Sequence, residues 1–442
     1  CPSKTEKDIE QDARSALVRF GIKPAGTSRT PHFMASLKFH KVPTGWRFMA
    51  GSAHAPVAPI SILLSRTLKA LMPEADELWN DVARKIPGAS PSGCWVISDS
   101  AAAVAHAQRF RSMRFSEFAT YDFSTMYTTL PIHDMKQRMR ALVKSMFARR
   151  LAISRARFLL VRKDGSSAWI NCRKEIDSAK ETILSDCAIA DMIDTLVDST
   201  FVRFGGLVYK QIIGIPMGTN CAGFLANLYC FTYELAFLER LVSQRHFDVA
   251  SSFLRCVRYI DDLLCLGVDR FQEFMYLSSE NPNGIYPREF LSLSLADSGP
   301  CVPFMDIALR FSRSHGLYTA IYDKRLDKKY SRLAVIRYPD HDSFISAQAK
   351  YGIVTSQLHR FSRRCTFARD FVYNIALVLH RMEGKGYRAR DFWARVRTFL
   401  RRQPQLYGGG RSMGCWLRLI RQKLSQLSDG TLHPGPFGPE VG

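Results

Sequence analysis

Two adjacent carboxylates, Asp261 and Asp262, stand in the middle of FLRCVRYIDDLLCLG, a run apolar enough on both sides to form buried strand. An ionised carboxyl placed in an apolar interior without a partner is costly, and two neighbouring ones cost more. Few chains can fold around such a pair. It is tolerated where a cation neutralises it, or where the pair marks a tight turn between two strands and reaches water. Taken by itself, a Y-x-D-D segment leaves both readings open.

A third acid narrows the choice. Asp122 breaks another apolar strand, ATYDFSTMYTTLP, with a Thr-rich turn and Pro131 behind it. Alone it is a natural turn or helix cap. With the pair it makes chemical sense, because one carboxylate at a strand end and two on a neighbouring hairpin could hold two Mg²⁺ ions about 3.5–4 Å apart. Phosphoryl transfer asks little more of a protein than such positioning and charge neutralisation. The charge of the chain points the same way. Sixty-two Lys plus Arg against 40 Asp plus Glu give a formal net charge of +22, which favours a polyanionic partner, nucleic acid before an anionic membrane surface.

Other classes find little support. The most apolar stretch, Phe224 to Leu238, is interrupted by Asn227 and Glu234 and is shorter than the roughly 20 residues of a membrane span. The 11 Cys show neither C-x-x-C pairs nor zinc-like His spacing, so reduced thiols inside the cell, in nucleus or cytoplasm, are expected. The chain opens on Cys1 rather than Met, as a fragment of a longer protein would.

The motifs, taken in order, resemble those of reverse transcriptases. YIDD at Tyr259 to Asp262 resembles their Y-x-D-D box, TYDFSTMYTTLP their first catalytic motif, and GIPMGTNCAGFLANLY the glycine-rich motif between the two. KFHKVP…WRFMAGS, FGGLVYKQIIGIPMG and YGIVTSQLHRFSRRC are similar to segments of Penelope-like elements, relatives of telomerase. The resemblance runs from about Pro31 to Phe371. It implies an α+β fold of right-hand polymerase architecture: fingers, a palm whose antiparallel sheet carries the acids, and a helical thumb. The boundaries it implies are fingers with an N-terminal extension over 1–117, palm over 118–340 with inserted fingers helices near 133–205, thumb over 341–427, and a flexible tail over 428–442.

The implied activity is that of an RNA-directed DNA polymerase of a retroelement. Its partners would be an RNA template, a DNA primer and deoxynucleoside triphosphates, with two Mg²⁺, or Mn²⁺ in their place. By this resemblance Asp122 and Asp261 match the two metal-holding acids, Asp262 the second acid of the box, and Phe123 a backbone carbonyl on a metal. Tyr127 matches the aromatic ring against the sugar 2′ position, though it also suits a core. Gly214, Pro216, Met217 and Gly218 match the loop beneath the templating pair, with Gln211 just upstream; a plain strand-to-helix connector has the same composition. Lys41 and Arg47, with Lys38 on the same strand, match residues that grip the triphosphate, although each suits a solvated surface equally. Tyr259 would meet nucleic acid, as would Arg360, Arg363 and Arg364 in the thumb.

Between Arg360 and Arg421 the only acids are Asp370, Glu383 and Asp391, among interleaved aromatics. Arg-rich helices of this kind suit a surface that follows a phosphate backbone, and also a merely soluble bundle. A telomerase-like end-extending enzyme and a domesticated, non-catalytic RNA-binding scaffold remain as alternatives.

Pattern reading expects a hairpin turning near Pro43 to Gly45, helices over 60–72, 98–110, 133–148 and 181–201, a second hairpin turning at Gly205-Gly206, a helix through Arg240, short strands from Ile285, and a helical end.

Overall fold

The computed structural model describes residues 4–24, 28–38, 45–90, 93–115, 117–124, 126–173, 175, 177, 179–215, 218–327 and 337–438. The fold is α+β. Four strands form its principal sheet, in the order Leu293–Gly299, Phe118–Phe123, Asp262–Leu266, Cys256–Tyr259. The chain divides into two compact units built from discontinuous segments. One comprises Cys1–Val96, Asp122–Leu263 and Arg270–Ser294; the other comprises Ile97–Tyr121, Leu264–Asp269 and Leu295–Gly442. No helix among the described residues is long and apolar enough to cross a membrane, and the described cysteines are free.

In the first unit, Phe33–Lys38 and Gly45–Ala50 pair antiparallel, with Ser36 opposite Arg47 and Lys38 opposite Gly45. The second expected hairpin pairs Phe201–Phe204 with Leu207–Lys210. Two expectations are corrected. The helix expected over 60–72 runs from Ala58 to Ala83, straight through Pro73. Its buried stripe of Leu64, Leu68, Leu71, Ala75 and Trp79 outweighs the roughly 3 kcal/mol that an interior proline costs. The helix expected over 181–201 is instead two elements. Glu181–Leu184 pairs as a strand with Phe158–Arg162, and the helix proper is Asp186–Asp198. Ser185 makes the break, its side chain accepting the Ala188 N–H as an N-cap.

The long helix Ala222–Ser243 is buried nearly all round, and it carries Asn227 and Glu234 into that interior. Both are satisfied by one residue. Arg258, on strand Cys256–Tyr259, is as fully buried as Glu234, each at 0% exposure. Its Nε and Nη2 donate to the two Glu234 carboxylate oxygens at 2.6 and 3.2 Å, and its Nη1 donates to Asn227 Oδ1 at 2.9 Å. The Tyr286 hydroxyl donates to Glu234 at 2.6 Å. Burial pulls the Arg258 pKa down and Glu234 pushes it back above the ordinary arginine value, so the guanidinium stays charged.

The second unit pairs Cys301–Phe304, Ile307–Ser312 and Gly316–Ile321 antiparallel, and adds helices Ala347–Arg364, Ala368–Glu383, Ala389–Arg402 and Met413–Ser428. Tyr351, Val354, Leu358 and Phe361 recur at helical spacing and bury one stripe. Most aromatics interleaved with the arginines serve this core: Phe361, Phe371, Tyr373, Tyr387, Phe392 and Trp416 are all buried. The end expected as a flexible tail is docked as far as Gly438. Pro436 accepts a hydrogen bond from the Asp323 N–H, Phe437 accepts one from Arg310, and Phe437 packs on Tyr322. Asp370 is 1% exposed, with neither carboxylate oxygen hydrogen-bonded among the described residues. Burial pushes its pKa up to about 6 from 3.8.

Two outcomes follow for stability. Glu234→Ala strands a buried guanidinium and is expected to cost about 3–5 kcal/mol in urea unfolding. Asp370 holds its proton more tightly folded than unfolded, so its contribution declines as pH rises from about 4 to about 6 and is level above. Asp370→Asn should abolish that decline and add about 3 kcal/mol at pH 7, read from denaturation midpoints across pH.

Candidate active site

Asp122 and Phe123 end one strand of the principal sheet, and Asp261 sits in the two-residue turn joining Cys256–Tyr259 to Asp262–Leu266. A backbone hydrogen bond joins these places: the Phe123 N–H donates to the Asp261 carbonyl at 3.0 Å. Residues far apart in the chain thereby lie side by side. Asp122 is tied on its other flank, where Ser294 Oγ donates to its carbonyl at 3.3 Å and the Ser124 N–H donates to Ser292 O at 2.9 Å. Asp262 begins the next strand.

The turn is held under strain. Ile260 has φ +55°, the left-handed region that β-branched residues avoid. What holds it there is Arg258, whose Nη1 donates to the Ile260 carbonyl at 3.0 Å. The fully buried guanidinium therefore fixes the residue that precedes Asp261. The sequence reading missed Arg258. The signal was present in Asn227 and Glu234, which were read only as breaks in an apolar run.

Asp261 opens on a hollow of about 550 Å³ that Lys38, Arg47, Ser124, Tyr127 and Gly218 also line. By the hairpin register, Lys38 and Arg47 share one face of their two strands. Neither has an ion-pair partner among the described residues. Tyr127 is half-buried, and its pKa is pushed up to about 12, by burial first and then by the Asp261 charge, so the hydroxyl stays protonated.

Two glycines lock the floor. The Gly214 and Ile215 N–H groups donate to Leu130 O and Tyr127 O, both at 2.8 Å. Gly214 has φ +83°, and a Cβ there would lie 2.4 Å from Tyr127 O. Gly218, at φ +110°, would place a Cβ 2.1 Å from the Ala50 carbonyl oxygen. Only glycine lets the loop lie against both the Tyr127 backbone and the end of the first hairpin.

Other expected residues stand elsewhere. The Gln211 side chain turns back to donate to Ile213 O at 2.9 Å, bracing its own loop. Tyr259 is half-buried in its strand and does not line the hollow. Arg360 and Arg364 both pair with Asp306, through their Nε atoms at 2.6 and 3.3 Å, leaving Arg363 as the exposed arginine of the three. Lys41, Pro216 and Met217 lie outside the described residues.

Among the described residues no group of three or more His, Cys, Asp and Glu side chains could hold a metal by itself. The donors these segments carry are the carboxylates of Asp122, Asp261 and Asp262 and backbone carbonyls, all hard oxygens; of the three acids, Asp261 is the one that lines the hollow among the described residues. That set suits Mg²⁺, which takes one or two carboxylates from a protein and the remainder from water and substrate phosphates.

No family model matches the sequence, and no curated protein matches it. Among solved structures it matches telomerase from Candida albicans in complex with the TWJ fragment of telomeric RNA. That match has a TM-score of 0.55 and 11% identity, over 95% of this chain and 68% of that one. Apo telomerase from Candida tropicalis aligns at a TM-score of 0.42 and 10% identity, over 95% of this chain and 71% of that one, too loosely to argue from. At such identities the first match speaks for fold alone: the chain has the mixed helix-and-sheet, polymerase-like architecture of that structure.

Proposed function

We propose that the chain is a template-copying nucleotidyltransferase: an RNA-directed DNA polymerase that extends a DNA primer on an RNA template with deoxynucleoside triphosphates. The observation that carries this reading is the bond from the Phe123 N–H to the Asp261 carbonyl, which seats the two acid-bearing segments together. The fold likeness to a telomerase solved with RNA supports it, as does the net charge of +22. The order of motifs along the chain supports a Penelope-like retroelement as its source.

Asp122 and Asp261 would hold two Mg²⁺ ions, with the Phe123 carbonyl as a further oxygen and Asp262 beside them. When bound, the ions supply charge neutralisation at the triphosphate and a lowered pKa for the primer 3′-hydroxyl. The chain's own residues do the rest. Lys38 and Arg47 face the hollow as cations that bind the triphosphate oxygens. The Tyr127 ring, neutral beside Asp261, closes the space where a ribose 2′-hydroxyl would project. The Gly214 and Gly218 backbone sets the floor on which the nascent pair rests. Arg258, which reaches the acid turn through the Ile260 carbonyl, is a positioning residue for it.

Primer extension on an RNA template tests the assignment. Wild-type chain with Mg²⁺ is expected to incorporate deoxynucleotides, and Asp261→Ala or Asp122→Ala to lose incorporation by about 10³-fold or more with unchanged thermal melting. Binding of template–primer without incorporation by wild type would instead assign a scaffold. Tyr127→Ala is expected to raise ribonucleotide use relative to deoxynucleotide use by about tenfold or more, measured as the ratio of the two kcat/KM values.

A further inference from the structure

A second basic site lies wholly within the second unit. The loop after helix Ser100–Gln108 and the turn between strands Ile307–Ser312 and Gly316–Ile321 face each other across a hollow of about 830 Å³. Arg109, Arg111 and Arg114 line it from the loop, and Arg313 and His315 from the turn. No acid lines it. Arg111, Arg114 and Arg313 are exposed, with neither an ion pair nor a side-chain hydrogen bond among the described residues. Other arginines are taken up by acids: Arg149 reaches Glu74, Glu77 and Asp81.

The site is built on a firm base. Phe115 from the loop packs edge-on against Phe311 from the strand, with centroids 6.2 Å apart. His315 is fixed by its own turn, its Nδ1 lying 2.8 Å from Ser314 Oγ, and its ring leans on Phe367 at 5.2 Å. Guanidinium groups present flat forks of donors that match phosphate oxygens, and several around one concavity sum their potentials. The hollow is far larger than one phosphate group and concave, which fits a strand laid across it better than a flat lipid surface.

We infer that this hollow binds the phosphodiester backbone of RNA, at a site other than the hollow that Asp261 lines and independent of whether that one catalyses. Sequence would go unread here, because such contacts address phosphates and not bases.

The test uses the full chain and a fluorescein-labelled RNA hairpin, with anisotropy titrations across a KCl series. For R111E/R114E/R313E the expected result is a Kd weakened at least about tenfold, and a plot of log K against log salt shallower by about two to three. Thermal melting should match wild type; if it does not, the glutamine triple variant R111Q/R114Q/R313Q takes its place, with the same slope change expected. Unaltered affinity and slope would overturn the inference. So would parallel loss of binding to phosphatidylserine–phosphatidylcholine vesicles while RNA affinity holds. Displacement of the hairpin by submillimolar pyrophosphate at constant ionic strength would also overturn it, by assigning the hollow to a small anion.

Discussion

The buried pairing of Arg258 with Glu234 is what the geometry of the acid turn rests on. An isolated charge in that interior would not survive, but two charges sharing two hydrogen bonds, with Asn227 and Tyr286 using up remaining donors and acceptors, can. The arrangement is directional in a way that apolar packing is not. It leaves one guanidinium N–H for the Ile260 carbonyl, and that bond holds a β-branched residue in a conformation it would otherwise leave. The acid turn is thus fixed from behind by the core of the long helix, while its front remains open.

Much of this was legible in the residues. The acids, in their order and apolar settings, marked two segments that the fold joins through the Phe123–Asp261 backbone bond, and the hairpin around Lys38 and Arg47 followed from alternation and a Pro/Gly turn. The glycine loop was legible because glycine at a close approach has few substitutes. What stayed hidden was long-range. Nothing local says that Arg258 reaches Asn227 and Glu234, because pattern reading sees a polar residue in an apolar run as an interruption and cannot see its partner. The strand Glu181–Leu184 was hidden for a similar reason: it is a strand because Phe158–Arg162 pairs with it.

Charge needed the structure most. An excess of arginine is plain in the sequence, but its division of labour is not. Arg360 and Arg364 are absorbed by Asp306, and most aromatics among the C-terminal arginines are absorbed by the helical core. Arg111, Arg114 and Arg313, which no motif singled out, are left facing a hollow. The arginines with no acid to meet are those best placed for an anion brought from outside.

The contact between Gly218 and the Ala50 carbonyl has an evolutionary consequence. Because a carbonyl from the base of one hairpin fills the space of a missing side chain in another segment, neither stretch is free to drift alone. A lengthened or re-twisted hairpin base would require a compensating change in the loop, so the two segments should vary together across homologues even though some 168 positions separate them.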